Sequence, residues 1–129
     1  MLQGSLQAGA AYFVCVTIAH WAGVKVPGLF IYYNIPSYAY QDRGIGIMAF
    51  GWAMFLLAVS KHLVMLPYLI AAGIAGIIGF SVNSFSDEVT TMAPPGGLVG
   101  VWGVVIGLAA YLVWIVMWWR AFQRTRERT

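Results

Sequence analysis

The sequence predicts an all-α polytopic membrane protein, a single four-transmembrane-helix bundle over residues 1–129 with both termini cytoplasmic. Three observations carry that expectation. Residues 8–24, 44–60, 63–82 and 98–119 contain no Asp, Glu, Lys or Arg, and about 20 consecutive apolar residues take an α-helix across the hydrocarbon core of a bilayer. The chain is 61% hydrophobic and 9% charged, whereas a soluble domain carries about 25% charged residues. Its length of 129 residues allows one domain, and only two outer loops, one inner turn and a short tail are left over.

The first span, 8–24, holds the single cysteine, Cys15, which excludes an intrachain disulfide and a cysteine metal knuckle. Residues 1–7 carry no Lys or Arg, so they lack the charged start of a secretory signal and the span is expected to be retained. Trp21 is expected at the outer headgroup level, as interfacial tryptophans are.

The outer loop that follows is apolar and aromatic, with Tyr32, Tyr33, Tyr38 and Tyr40 between Val26 and Tyr40. Pro27 and Pro36 interrupt any helix through it. It is expected to lie flat at the headgroup level with its tyrosine rings below. The alternative is burial against a partner, since aromatic side chains dominate interface cores.

The second and third spans, 44–60 and 63–82, are joined by little more than Lys61 and His62. Pro67 is expected in the first turns of the third span, where its missing N–H costs little. The third span also carries Gly73, Gly76 and Gly79, and the fourth carries Gly103 and Gly107. Small residues mark close contact between helices in lipid, where hiding apolar surface gains little. These five glycines are therefore the expected contact faces, between spans three and four or towards another chain. The second outer loop ends in Ala93-Pro94-Pro95-Gly96-Gly97, a stop that starts the fourth span.

Orientation follows from the basic residues. Lys61, Arg120, Arg124, Arg126 and Arg128 fall on one side and only Lys25 and Arg43 on the other, so the five-residue side is expected to be cytoplasmic. A bacterial inner membrane is the expected location. The four arginines after Trp119 are read as contacts to anionic lipid headgroups rather than to nucleic acid. The same imbalance disfavours families that insert in both orientations. The run from Phe80 to Ser86 is similar to the Phe-Ser-Thr-Phe-Ser stretch of fluoride channels. It has two extra residues between the phenylalanines, and the second span offers no asparagine like that family's pore-lining one.

The absence of charge within the spans argues against pumps and carriers of charged solutes. Chemistry-bearing residues gather instead at the outer rim, where His20 shares a side with Asp42, Asp87 and Glu88. A histidine with carboxylates suits a divalent metal or acid–base work, although no ligand-spacing motif accompanies it. Asp42 has a structural reading too, beside the positive end of the second helix. His20 is also a candidate cofactor residue, an axial ligand to a porphyrin with Ala19, Ala22 and Gly23 leaving room. No residue is assigned a catalytic role. The leading expectation is a non-enzymatic accessory subunit packing with a larger membrane complex or with itself. The alternative is an outer-face site for a lipid, quinone, pigment or metal, and a carrier of a neutral solute comes third.

Overall fold

The computed structural model describes the backbone of residues 1–126 and the side chains of residues 1–125. Arg128, and the side chain of Arg126, lie outside the described residues. Among the described residues five α-helices follow in order: α1 (Leu2–Ala22), α2 (Ala39–Lys61), α3 (Leu66–Ser84), α4 (Asp87–Met92) and α5 (Leu98–Arg126). A 3-10 turn, Leu63–Met65, leads into α3. The four long apolar segments, Leu2–Ala22, Ala39–Lys61, Leu63–Ser84 and the one starting at Leu98, are each long and apolar enough to cross a membrane.

Helix α1 starts six residues earlier than the hydropathy suggests. Gln3 and Gln7 lie on its exposed side, while Leu2 and Leu6, one turn apart, are buried. It ends at Gly23, whose φ of 68° lets the amide bond back to the Ala19 carbonyl, a left-handed cap that glycine adopts without strain. Helix α2 also begins early. The Tyr38 amide donates to Gln41 Oε1 at 3.3 Å, and Asp42 sits in the first turn, where a carboxylate offsets the helix dipole. Pro67 occupies the first turn of α3, as its missing N–H favours. The short α4 lies within the segment expected as the second outer loop. Ser86 caps it, accepting from the Val89 amide at 3.4 Å. With 29 residues, α5 is about 43 Å long at 1.5 Å per residue, so it outruns a hydrocarbon core of about 30 Å.

The closest helix pairing is between α1 and α2. Buried residues recur in steps of four and three on both: Leu2, Leu6, Gly9, Val16 and His20 on α1, with half-buried Phe13 filling its step, and Asp42, Gly46, Ala49, Ala53, Leu56 and Ser60 on α2. That is a seven-residue seam, the pattern that keeps one face of a helix against its partner. Helices α3 and α5 form a second pair, and α1 with α5 and α2 with α3 complete the ring. The main core lies at the end holding the N-terminus, where Leu2, Leu6, Ala10, Leu56, Val59, Leu66, Leu69 and Ile115 meet.

Candidate functional site: the loop-capped outer end and its apolar cleft

At the end of the α1–α2 seam away from the N-terminus, His20 and Asp42 are each only 6% exposed. They come close enough to interact electrostatically. Gly46 makes the approach possible. A Cβ there would stand 2.7 Å from Trp21 Cδ1 and 3.4 Å from His20 Cβ. The His20 ring stacks on Phe30 with centroids 3.6 Å apart and planes at 16°. Its Nδ1 is buried with no hydrogen-bond partner. Asp42 Oδ2 accepts from Ser37 Oγ at 2.9 Å, and that hydroxyl accepts from Lys25 Nζ at 2.5 Å. A single hydroxyl thus relays the lysine charge to a buried carboxylate.

The aromatic loop between α1 and α2 packs against the protein's own helices. It folds over the bundle's own outer end. Tyr32 Oη accepts from Asn83 Nδ2 at 2.7 Å and lies 3.3 Å from Ser84 Oγ on α3. Tyr33 packs against Gly100 of α5, where an added Cβ would stand 2.7 Å from its ring. Asn34 Nδ2 donates to the Gly97 carbonyl at 2.7 Å, while its Oδ1 is buried without a partner. Phe30 and Ile35 are buried. Tyr38 and Tyr40 differ from the rest. They are 69% and 71% exposed and stack on each other with centroids 5.8 Å apart.

Of the four residues expected at a metal or acid–base site, the fold brings together two. Asp87 and Glu88 are exposed on the first turn of α4. Among the described residues no group of three or more His, Cys, Asp or Glu side chains could hold a metal ion. The pair His20 and Asp42 offers one imidazole and one carboxylate. Arg120 and Arg124 are exposed on the end of α5 that projects past the spans.

Among the expected contact glycines, only Gly73 meets another span. A Cβ there would stand 3.1 Å from Leu112 Cδ1 of α5. Gly76, Gly79, Gly103 and Gly107 have no atom within 4 Å of the place a Cβ would take. The small residues that bring helices together most closely are Gly9, Gly46, Ala49 and Ala53 of the first seam. Their four–three spacing is present in the sequence, although the third and fourth spans are richer in glycine.

Gly103 and Gly107 instead line a cleft of about 650 Å³ between α1 and α5. Ala8, Gly9, Tyr12 and Phe13 form one wall, Gly100 to Tyr111 the other, and Pro27 and Gly28 the roof. Two mid-span tyrosines supply its polar atoms, and both have spent their protons. The Tyr12 hydroxyl donates to the Gly28 carbonyl, and Tyr111 donates to the Ser5 carbonyl at 2.8 Å. No family model, curated protein or solved structure matches the chain.

Proposed function

We propose that this protein is a non-enzymatic accessory subunit of a bacterial inner membrane, packing in the bilayer beside a larger complex or a second copy of itself. The observation that carries the reading is the state of α3. Of its 19 residues only Leu66, Leu69 and Ser84 are buried, and Gly76 and Gly79 have open space around them. A helix face with small residues and no neighbour admits close approach by another helix. The exposed Tyr38–Tyr40 stack supplies an aromatic contact at the outer rim, of the kind that anchors interfaces. Both termini face the cytoplasm in this reading, with Arg120, Arg124, Arg126 and Arg128 at anionic headgroups.

The test is cysteine crosslinking in native membranes, with Cys15→Ala as background and Gly76→Cys, Gly79→Cys and Tyr40→Cys as probes. A defined adduct is expected from the α3 probes, either a dimer of this chain or one discrete partner. Adding Tyr38→Ala should weaken it. A protein that purifies as a monomer and gives no adduct from any probe would end this reading.

A second reading is favoured by the unpartnered Nδ1 of His20. It makes His20, with Asp42, the contact for an outer-face ligand such as a quinone, a pigment or a lipid headgroup. A metal fits less well, because Asp87 and Glu88 do not join the pair. His20→Asn should then release a co-purifying molecule while the amount of inserted protein stays unchanged. Equal loss of protein would return His20 to a packing role beneath Phe30.

A further inference from the structure

We infer that His20 is a proton-sensing latch for the turn 26–30 of the aromatic loop, closed while the imidazole is neutral and released when the ring takes up a proton. Its buried Nδ1 also carries the second reading above, which gives that atom a ligand molecule where this one gives it a proton. The accessory-subunit reading rests on α3 and is untouched. Three features make a charge on the ring unfavourable while the turn is closed. His20 is 6% exposed, and its ring lies under Phe30 with centroids 3.6 Å apart, so an imidazolium there would give up its hydration. Nδ1 has no hydrogen-bond partner; as an N–H it would be a buried donor with nothing to receive it. The charged groups that face the ring are Asp42 from α2 and Lys25 from the loop, and they are fastened to each other. Ser37 Oγ donates to Asp42 Oδ2 at 2.9 Å and accepts from Lys25 Nζ at 2.5 Å. The carboxylate that would neutralise an imidazolium is thereby already balanced by an ammonium group, which itself repels the added charge.

The turn can move as a unit. Its amides at Leu29 and Phe30 both donate to the Val26 carbonyl, at 3.3 and 3.0 Å. Gly28 forms the corner with a φ of 87°, which glycine adopts without strain. The His20–Phe30 stack fastens the turn to α1, as does the Tyr12 hydroxyl, which donates to the Gly28 carbonyl. The bonds of Tyr32 to α3 and of Asn34 to Gly97 come later in the loop and stay in place when the turn lifts. Lifting returns the imidazole to water, where histidine titrates near pH 6.5. The open form then binds one proton more than the closed form, so closure is strongest above that pH and weakens as pH falls below it. Pro27 and Gly28 are also the roof of the α1–α5 cleft, so acid uncovers the cleft at its loop end.

The experiment uses the full-length protein in detergent micelles, with isotope-labelled histidine and His62→Gln, which leaves His20 as the one imidazole of the chain. The ring nitrogens are followed by NMR from about pH 8 to about pH 5, across the histidine range. Exchange of the Leu29 and Phe30 amides, divided by its intrinsic rate at each pH, is followed beside them. The ring is expected to be neutral at the alkaline end with Nδ1 unprotonated. It should gain its proton in step with a loss of protection at Leu29 and Phe30 that approaches about tenfold per pH unit, the limit for one proton. The amides of Phe85 and Ser86, bonded in the turn after α3, should hold theirs. His20→Phe keeps the stack and should flatten the profile, whereas Asp42→Asn should leave its slope. Should either variant fail to insert, the titration of the His20 ring decides. Four results would overturn the inference: a flat profile, a ring protonated without loss of protection, an equal loss at Phe85 and Ser86, or a slope that survives His20→Phe. A slope lost in Asp42→Asn alone would also do so, by making the carboxylate the sensor. A co-purifying molecule released by His20→Asn, over a ring that does not titrate, would give Nδ1 to that molecule and leave the second reading in its place.

Discussion

Two glycines of the α1–α2 seam show how one absent side chain sets helix separation. A Cβ on Gly9 would meet Tyr111 Oη first, with Cζ at 2.8 Å behind it, and one on Gly46 would stand 2.7 Å from Trp21 Cδ1. The approach at Gly9 is the tighter, and the neighbours differ. Tyr111 is held by its bond to the Ser5 carbonyl, whereas Trp21 is 56% exposed and can swing outwards. Gly9→Ala should therefore destabilise by about 1–3 kcal/mol, as overpacking does, and Gly46→Ala by much less. Thermal unfolding in detergent, read from tryptophan fluorescence, separates the two; equal losses would show that Trp21 is as fixed as Tyr111. His20 invites a parallel comparison. Its stack on Phe30 is a shape contact, so His20→Phe should keep the loop closed. His20→Ala should open it by about 1 kcal/mol, seen as faster amide exchange at residues 29–35. If both variants exchange alike, the imidazole itself holds the loop. That His20 lies at the outer end of a span was readable from its position. That it meets Asp42 and Phe30, and not Asp87 or Glu88, was not.

The element that departs most from expectation is the aromatic loop. Its composition alone fits a flat interfacial segment, an external interface or a cap equally well, since each buries rings and keeps hydroxyls near polar groups. Four positions spread over three helices decide for the cap: Gly28 on α1, Tyr32 on α3, and Tyr33 and Asn34 on α5 and the turn before it. Tyr32→Phe removes the acceptor of Asn83 and should cost about 1 kcal/mol, a rise of about fivefold in the exchange of loop amides. Tyr38→Phe, at an exposed ring, should change nothing measurable. A Tyr32→Phe loop that exchanges no faster would assign the closure to Phe30 and Ile35 packing alone. The early start of α1 has a similar origin. Gln3 and Gln7 lower the mean hydropathy of its first turns, yet Leu2 and Leu6 on the other side join the core.

At the scale of the whole molecule, the ring α1–α2–α3–α5 is dense at one end and open at the other. Its large core lies beside the N-terminus, and the loop packs over the opposite end. The placement of both termini on one side follows from four crossings, and the basic residues predict that side to be cytoplasmic. In a Cys15→Ala background, Glu88→Cys should react with a membrane-impermeant maleimide on intact cells. Thr125→Cys should react only after permeabilisation. The reverse pattern would invert the assignment.

By itself the sequence determined the number of spans, their order and their approximate limits, because length and apolarity are local properties that a lipid solvent reads directly. Asp42 and Pro67 at helix starts belong to the same class, since dipole and capping effects act within one turn. Which faces meet was decided only by the tertiary structure. A span apolar on every side carries no stripe to mark its inner face, and small residues mark several candidate faces at once. Hence Gly46 and Ala53 proved to lie in the tightest seam, while Gly103 and Gly107 were left bare beside a cleft.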